Sequence, residues 1–262
     1  MFVWMLALAF LVSSIGFKKY IWFISIGYGF SIAAIGVALL ITFRSTLTVG
    51  TAIACTLFVL YGCRLGGYLA FREFKVTSYG QKMATEIKDG KGMPFIAKCG
   101  IWASSALLYA CETCPVLFRL ENGAGTDTLL WIGICLSSCG LILESAPDLQ
   151  KNAAKKVNPK RFVDTGLFRI VRCPNYFGEM VFWTGVFVGS LNVLRGAGQW
   201  TLAVLGYVWI IYVMFSGARR LELRQQRTYG NDPVYQEYAR KTPILLPLVP
   251  LYSVAKHKWL VA

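Results

Sequence analysis

Asn175, Tyr176 and Glu179 are the side chains best placed to do chemistry. They close the stretch 160–179, KRFVDTGLFRIVRCPNYFGE, and the apolar run MVFWTGVFVGSL follows directly. Pro174 suits the first turn of a helix, so Asn175 and Glu179, four residues apart, share one helical face. Just upstream, Lys160, Arg161, Arg169 and Arg172 concentrate positive charge, and Gly166 can supply a turn. Polar side chains just inside a membrane helix face a cavity or partner helices and mark a site by default. A basic juxtamembrane anchor would account for the cations, but it has no use for an Asn-Tyr-x-x-Glu set. Hydrogen-bonding groups beside clustered cations suit the capture of an anionic small molecule, and a nucleotide with several phosphates fits.

Other groups converge on the same kind of chemistry. Glu144 and Asp148 end an apolar segment, and carboxylates there can accept from ribose hydroxyls or an amide. Lys151, Lys155, Lys156, Lys160 and Arg161 supply cations for phosphate, or simply a solvated basic rim. No GxGxxG follows a strand and no GxxxxGK[ST] is present, so neither phosphate loop of soluble proteins applies. Tyr61, Arg64 and Tyr68 fall at i, i+3 and i+7, on one helical face. A membrane-embedded tyrosine hydroxyl, protonated at neutral pH, can donate to a carbonyl; interfacial anchoring is the alternative role. Tyr235, Glu237 and Tyr238 form an amphipathic segment that packs or joins the site. Cys111 and Cys114 have redox-motif spacing outside a strand-helix context. With His257 as the single histidine, the sequence argues against a Cys/His zinc site.

The elements that must position these groups are membrane helices. The chain has 262 residues, 56% hydrophobic and 15% charged, with mean hydropathy +0.52. Soluble domains average about 25% charged residues. The spacing of apolar runs predicts an all-α polytopic membrane helical bundle of about seven transmembrane helices: residues 1–17, 20–43, 46–63, 94–118, 128–145, 176–194 and 199–216. A polar, basic loop is expected over 72–93 and a lysine-rich loop over 147–165, with a charged segment from 218. Of 27 Lys and Arg, only Arg44, Arg119 and Arg195 lie on one side of this topology; the other 24 lie on the opposite side or in the tail. The positive-inside rule then puts the N-terminus lumenal or outside and the C-terminus in the cytosol. Net charge is +14; in a chain this apolar it points to anionic lipid or an anionic small ligand, and away from nucleic acid. One integral membrane domain over 1–262 is expected.

GLFRIVRCPNYFGE resembles the G-L-W/F-R-Y-x-R-H-P-N-Y-x-G-E signature of the membrane-bound reductase superfamily, which includes the steroid 5-alpha-reductases and the sterol C14 and C7 reductases. ESAPDLQK and SGARRLELR…YGNDPVYQEYARKTPILLP are similar to an uncharacterised branch that shares the steroid-reductase C-terminal domain. The resemblance covers roughly 61–247 and is strongest from Glu144 onward, and it implies a reductase-like C-terminal core over about 128–250. It implies an endoplasmic-reticulum membrane enzyme that takes NADPH from the cytosol and reduces a carbon–carbon double bond in a lipid or sterol-like substrate, without a metal. By motif match, Asn175, Tyr176, Arg169, Arg172, Asp148, Lys155, Arg64, Tyr68 and Tyr235 would be cofactor-binding. Tyr61 would polarise a substrate carbonyl, and Glu179 would join it as a catalytic group. Two departures stand out. Cys173 occupies the usual His position, and helices 1 and 2 hold no Asp or Glu where the steroid enzymes keep an acid beside the substrate carbonyl, which argues against a 3-keto steroid.

Two other functions fit the same residues. Isoprenylcysteine and phospholipid methyltransferases share an R-H-P-x-Y motif and bind S-adenosylmethionine, but they pair it with a downstream glutamate pair where this chain has Leu221-Glu222-Leu223-Arg224. A non-catalytic, lipid-binding membrane protein built on a degenerate reductase is the third.

Overall fold

The computed structural model describes residues 1–75 and 92–260. Among them every regular element is helical, as the apolar periodicity requires. The helices are α1 (Phe2–Ser13), α2 (Ile26–Thr42), α3 (Val49–Lys75), α4 (Phe95–Glu121), α5 (Thr128–Val157), α6 (Pro174–Val188), α7 (Gly196–Tyr229) and α8 (Pro233–Lys241). Single 3-10 turns cover Ser14–Phe17, Tyr20–Ile24 and Gly166–Arg169.

Five segments are long and apolar enough to cross a membrane: Tyr20–Thr42, Val49–Phe74, Phe95–Glu121, Thr128–Val157 and Gly196–Tyr229. The chain is an integral, multi-pass membrane protein. The other two expected spans are short. Phe2–Phe17 is a helix of 12 residues followed by a 3-10 turn, and α6 has 15 residues. Fifteen residues rise only about 22 Å, against a hydrocarbon core of about 30 Å.

Helix ends also differ from expectation. The lysine-rich segment expected as loop from 147 is helical as far as Val157, with Pro147 inside α5. Proline removes one hydrogen bond, but Ala153, Ala154 and the lysines around them are strong helix formers that carry the helix onward. The segment expected to turn polar after 216 remains helical to Tyr229, because LELRQQR is equally helix-forming. Most of the expected 72–93 loop lies outside the described residues.

The chain folds as two compact units: Met1–Ile134 with Val186–Tyr207, and Cys135–Gly185 with Val208–Ala262. In the first, α2 and α3 share a seam of small residues. A Cβ at Gly29 would strike the backbone of Gly66, and one at Gly62 would strike the backbone of Gly29 and Ala33. Such stripes let helices touch backbone to backbone where no hydrophobic force drives them together. α1 packs on α2 and α4, and the Trp102 indole donates to the Phe10 carbonyl at 3.0 Å. At the end of α4, Arg119 is wholly buried. It donates to the carbonyls of Gly189 (3.0 Å) and Gly125 and pairs with Asp127 at 2.5 Å. Asp127 also caps α5 through the Leu130 N–H (2.8 Å) and accepts from Asn192 (3.0 Å).

In the second unit, α5 and α6 meet through Gly140 and Gly178, each lying directly against the other helix's backbone. Ser137 adds a hydrogen bond to the Phe182 carbonyl at 2.9 Å. After α7 the sequence Gly230-Asn-Asp232-Pro233 turns the chain. Asp232 caps α8 by accepting from the Val234 N–H (2.9 Å), with Pro233 in the first turn. The segment after α8 then folds back along the foot of α6.

Candidate functional site

The site in the second unit is built around Arg172, one residue pair before α6. Its backbone N–H donates to the Pro243 carbonyl at 2.9 Å, and the Cys173 N–H donates to the Ile244 carbonyl at 2.9 Å. These two bonds clamp the start of α6 to the returning C-terminal segment. The Arg172 guanidinium donates from Nη2 to Glu222 at 3.0 Å and to the Tyr252 carbonyl. Glu222 in turn accepts from the Val254 N–H at 2.9 Å. Both charged groups are about 2% exposed. The Tyr235 hydroxyl lies beside the same guanidinium, without the geometry of a hydrogen bond. Nε and Nη1 of Arg172 and the Tyr235 hydroxyl are buried and make no hydrogen bond among the described residues. Burial pushes the Tyr235 phenol above its ordinary pKa, with Arg172 pulling the other way. Burial likewise raises the Cys173 thiol to about 12.

Asn175, Tyr176 and Glu179 occupy the first turns of α6, as expected. Asn175 and Tyr176 are half-buried and Glu179 is buried. The Tyr176 hydroxyl meets Arg220 of α7, and its ring lies over Gly217, whose missing side chain leaves room for it. Gly178 abuts Glu144 of α5, so the same contact that packs the two helices brings the α5 carboxylates to the foot of α6. Asp148 stands one helical turn beyond Glu144, half-buried. Lys155 lies two turns further on and is engaged by protein. It donates to the Pro159 carbonyl (3.0 Å), the Arg161 carbonyl and the Tyr229 hydroxyl (3.1 Å), closing the turn after α5.

An open cleft of 590 Å³ lies beside that turn, lined by Asn158, Arg161, Asp164, Thr165 and Arg169 among others. Arg161 pairs with Asp164 at 2.6 Å, so the one carboxylate in the lining is compensated, and Arg169 adds a second exposed guanidinium. The volume is in the range of small-molecule sites, about 300–1,000 Å³. Behind the cleft Phe162 packs against Tyr229, Tyr235 and Tyr238. The Tyr238 hydroxyl donates to the Phe168 carbonyl at 2.7 Å, and burial raises its pKa. These aromatic rings hold the arginine-bearing loop against α8.

Tyr61, Arg64 and Tyr68 belong to the first unit. Tyr61 is fully buried in α3, and its hydroxyl donates to the Tyr28 hydroxyl of α2 at 2.9 Å. Two turns along, the Tyr68 ring lies between the guanidinium groups of Arg64 and Arg72, 5.8 and 5.5 Å from its centre. These are cation–π contacts along one helix; Arg64 and Tyr68 share the face their spacing predicts, and Arg72, expected in the loop from 72, is still helical and joins them. Among the described residues, no group of three or more His, Cys, Asp or Glu is placed to hold a metal.

Sequence inspection missed four participants. Glu222 reads as one charge among many in a helix end, and nothing local announces its ion pair with a residue 50 positions away. Tyr252 and Val254 act through backbone groups, which carry no side-chain signal. Tyr28 had a signal: Tyr28-Gly29 and Tyr61-Gly62 repeat one dipeptide on two helices that pack glycine to glycine.

One family model, described as "Protein of unknown function (DUF1295)", matches residues 9–242. No curated protein and no solved structure matches the chain significantly.

Proposed function

The chain belongs to the DUF1295 family, and from that premise and its geometry we propose a membrane-bound, NADPH-dependent reductase of a carbon–carbon double bond in a lipid or sterol-like substrate. The observation that carries the proposal is the second unit's construction. A short helix bearing Asn175, Tyr176 and Glu179 is locked by the buried Arg172–Glu222 pair, and the loop just before it lines a cleft that presents Arg161 and Arg169. The donor set fits a dinucleotide. Arg169 and Arg161 would meet its phosphates, each as a planar bidentate donor. Asn175 and Tyr176 would hydrogen-bond its polar rings, and Asp148 would accept from ribose hydroxyls. The buried nitrogens of Arg172 and the Tyr235 hydroxyl add unspent donors near the foot of α6.

When bound, NADPH supplies a hydride and leaves as NADP+; the double bond takes that hydride on one carbon and a proton on the other. The protein's part is position and field. Tyr61 would donate to a substrate carbonyl, so that negative charge growing on oxygen is stabilised in a dry site. Glu179, buried on the same α6 face as Asn175, would serve the proton. The lumenal N-terminus, cytosolic C-terminus and endoplasmic-reticulum location belong to the same proposal, supported by the lopsided distribution of lysine and arginine.

A thermal-stability titration of the purified protein tests it. NADPH should raise the melting temperature, and Arg169→Ala and Asn175→Ala should weaken that rise. A rise with S-adenosylmethionine and none with NADPH would favour a methyltransferase. No response to either would favour a non-catalytic lipid-binding role.

A further inference from the structure

Residues 254–260 turn the charged end of the second unit back toward the membrane. The Val254 N–H reaches Glu222 at 2.9 Å. The Ala255 and Leu260 carbonyls accept from Arg219, both at 3.2 Å, and the Trp259 carbonyl accepts from the Tyr212 hydroxyl at 2.9 Å. Glu222, Arg219 and Tyr212 succeed one another along α7, and the helix between the first and the last rises about 15 Å. Tyr212 lies inside the apolar run 199–216, and α7 is one of the five segments fit to cross a membrane. The segment therefore descends from the polar end of α7 to the depth at which its apolar run begins. There it is wound into a knob: the N–H groups of His257, Lys258 and Leu260 donate to the carbonyls of Val254 (3.1 Å), Lys256 (3.0 Å) and His257 (3.0 Å). Val254 and Leu260 are buried, while Lys256, His257, Lys258 and Trp259 are exposed. The Trp259 indole is 65% exposed, with its ring centre 6.1 Å from that of Tyr212 and 6.2 Å from that of His257.

We propose that residues 256–259 form a binding site for an anionic phospholipid in the leaflet at this end of α7. Lys256 and Lys258 meet the phosphate-bearing headgroup, and Trp259, positioned by Tyr212, lies at the boundary between headgroup and acyl chain. An indole prefers that boundary because its body is apolar and its N–H is polar. Lysines beside it are drawn to anionic lipid phosphates, and the chain's net charge of +14 favours an anionic partner. The occupant is a bilayer lipid and not a soluble phosphate, because the knob is bonded to a residue inside the apolar run and sets an exposed apolar ring between its cations and that run. Binding there has a consequence deeper in the unit. The same segment supplies the Tyr252 carbonyl and the Val254 N–H that complete the Arg172–Glu222 pair. A lipid that holds the knob against α7 thus stabilises the clamp at the foot of α6.

Two measurements on the full-length protein test this. The first is thermal melting in detergent with added dioleoylphosphatidylglycerol, dioleoylphosphatidylcholine or inorganic phosphate. Phosphatidylglycerol should raise the melting temperature of the wild type, and the other two should not. Lys256→Gln with Lys258→Gln should bind phosphatidylglycerol roughly thirtyfold more weakly, the usual contribution of two lysines at an anionic surface. Lys156→Gln with Lys160→Gln removes two exposed lysines elsewhere in the same unit and should keep the wild-type response. The second is tryptophan emission in nanodiscs, taken as the difference between wild type and Trp259→Phe, a change that keeps an aromatic ring against Tyr212. Lipid brominated high on the acyl chain should quench that difference. If the Lys256/Lys258 variant keeps the full response, or both lysine pairs lose it equally, the headgroup site is overturned. An equal rise with inorganic phosphate would assign the lysines to a soluble anion and overturn the lipid. An unquenched Trp259 would place the knob away from the bilayer and overturn the site even with the expected melting pattern. None of these outcomes depends on whether the residues of α6 bind NADPH.

Discussion

Arg172 and Glu222 form an ion pair at 3.0 Å in which both partners are sealed from solvent. The pair ties the foot of α6 to α7, while the Tyr252 carbonyl and the Val254 N–H tie both charges to the C-terminal segment. Breaking such a pair leaves one charge buried and uncompensated, at a cost of about 3–5 kcal/mol. Glu222→Leu should therefore lower the melting temperature strongly, and Arg172→Met similarly. The double variant Arg172→Met with Glu222→Leu should melt above either single one, because it buries no lone charge. Arg172→Lys should not rescue, since an ammonium cannot reproduce the planar fork. A double-mutant cycle followed by thermal melting in detergent reads all four. A fully additive cycle would show that the two residues are independent.

Cys173 offers a check on that burial by chemistry. It lies between Arg172 and α6, its N–H is spent on the Ile244 carbonyl, and burial lifts its thiol to about 12. The thiolate is the reactive form. At pH 8 the native protein should leave Cys173 unmodified by a maleimide, while denaturant should expose it. Peptide mass spectrometry locates the label. Labelling of Cys173 at a rate matching that of the unfolded chain would mean that the C-terminal clamp is open in solution.

How far the sequence went depends on the range of the interaction. The shared face of Arg64 and Tyr68 was legible from helical spacing alone, whereas Arg72, expected to begin a loop, lies on the same helix and joins the Tyr68 ring. The start of α6 was legible from Pro174, whereas the α7–α8 turn at Gly230, Asp232 and Pro233 went unread within a segment taken only as charged. The ends of α5 and α7 were not, since charge marks where a segment becomes polar and not where its backbone hydrogen bonds stop. The short length of α6 was not legible either: its apolar character runs on past Val188, yet the chain turns where Arg119 takes the Gly189 carbonyl. Arg119 was counted as one loop charge, though its guanidinium is buried in a network of backbone carbonyls, Asp127 and Asn192. Long-range pairs of this kind leave no local pattern.

That network should make stability sensitive to acid. Burial pushes the Asp127 carboxyl up, but Asn192, the Leu130 N–H and Arg119 together hold it below the ordinary value. A depressed folded-state pKa means that the contribution is fully present above the unfolded value, about 3.9, and is lost as pH falls through the folded value. Wild-type melting temperature should drop below pH 4, and Asp127→Asn should show a shallower drop. At neutral pH the same substitution should still destabilise by about 1 kcal/mol or more, because an ionic partner of a buried arginine is gone. Melting curves from pH 3 to 7 compare the slopes; parallel curves would remove Asp127 from the acid response.

Gly178 belongs to the Asn175–Glu179 motif, and the structure gives it a packing role distinct from any ligand. A methyl group there would come within 2.5 Å of the Glu144 backbone nitrogen and 2.6 Å of the Leu143 carbonyl carbon. Backbone atoms cannot swing aside as a side-chain tip can, so α5 and α6 would have to separate. Gly178→Ala is thus expected to cost about 1–3 kcal/mol, the usual range for overpacking, although alanine is the better helix former. Gly140→Ala, which meets the Phe182 backbone across the same seam, should behave alike. Gly67→Ala on α3 meets nothing within 4 Å and should be neutral or stabilising. Comparing the three by thermal melting separates seam packing from helix propensity: if all three stabilise, the α5–α6 contact is looser than these distances require.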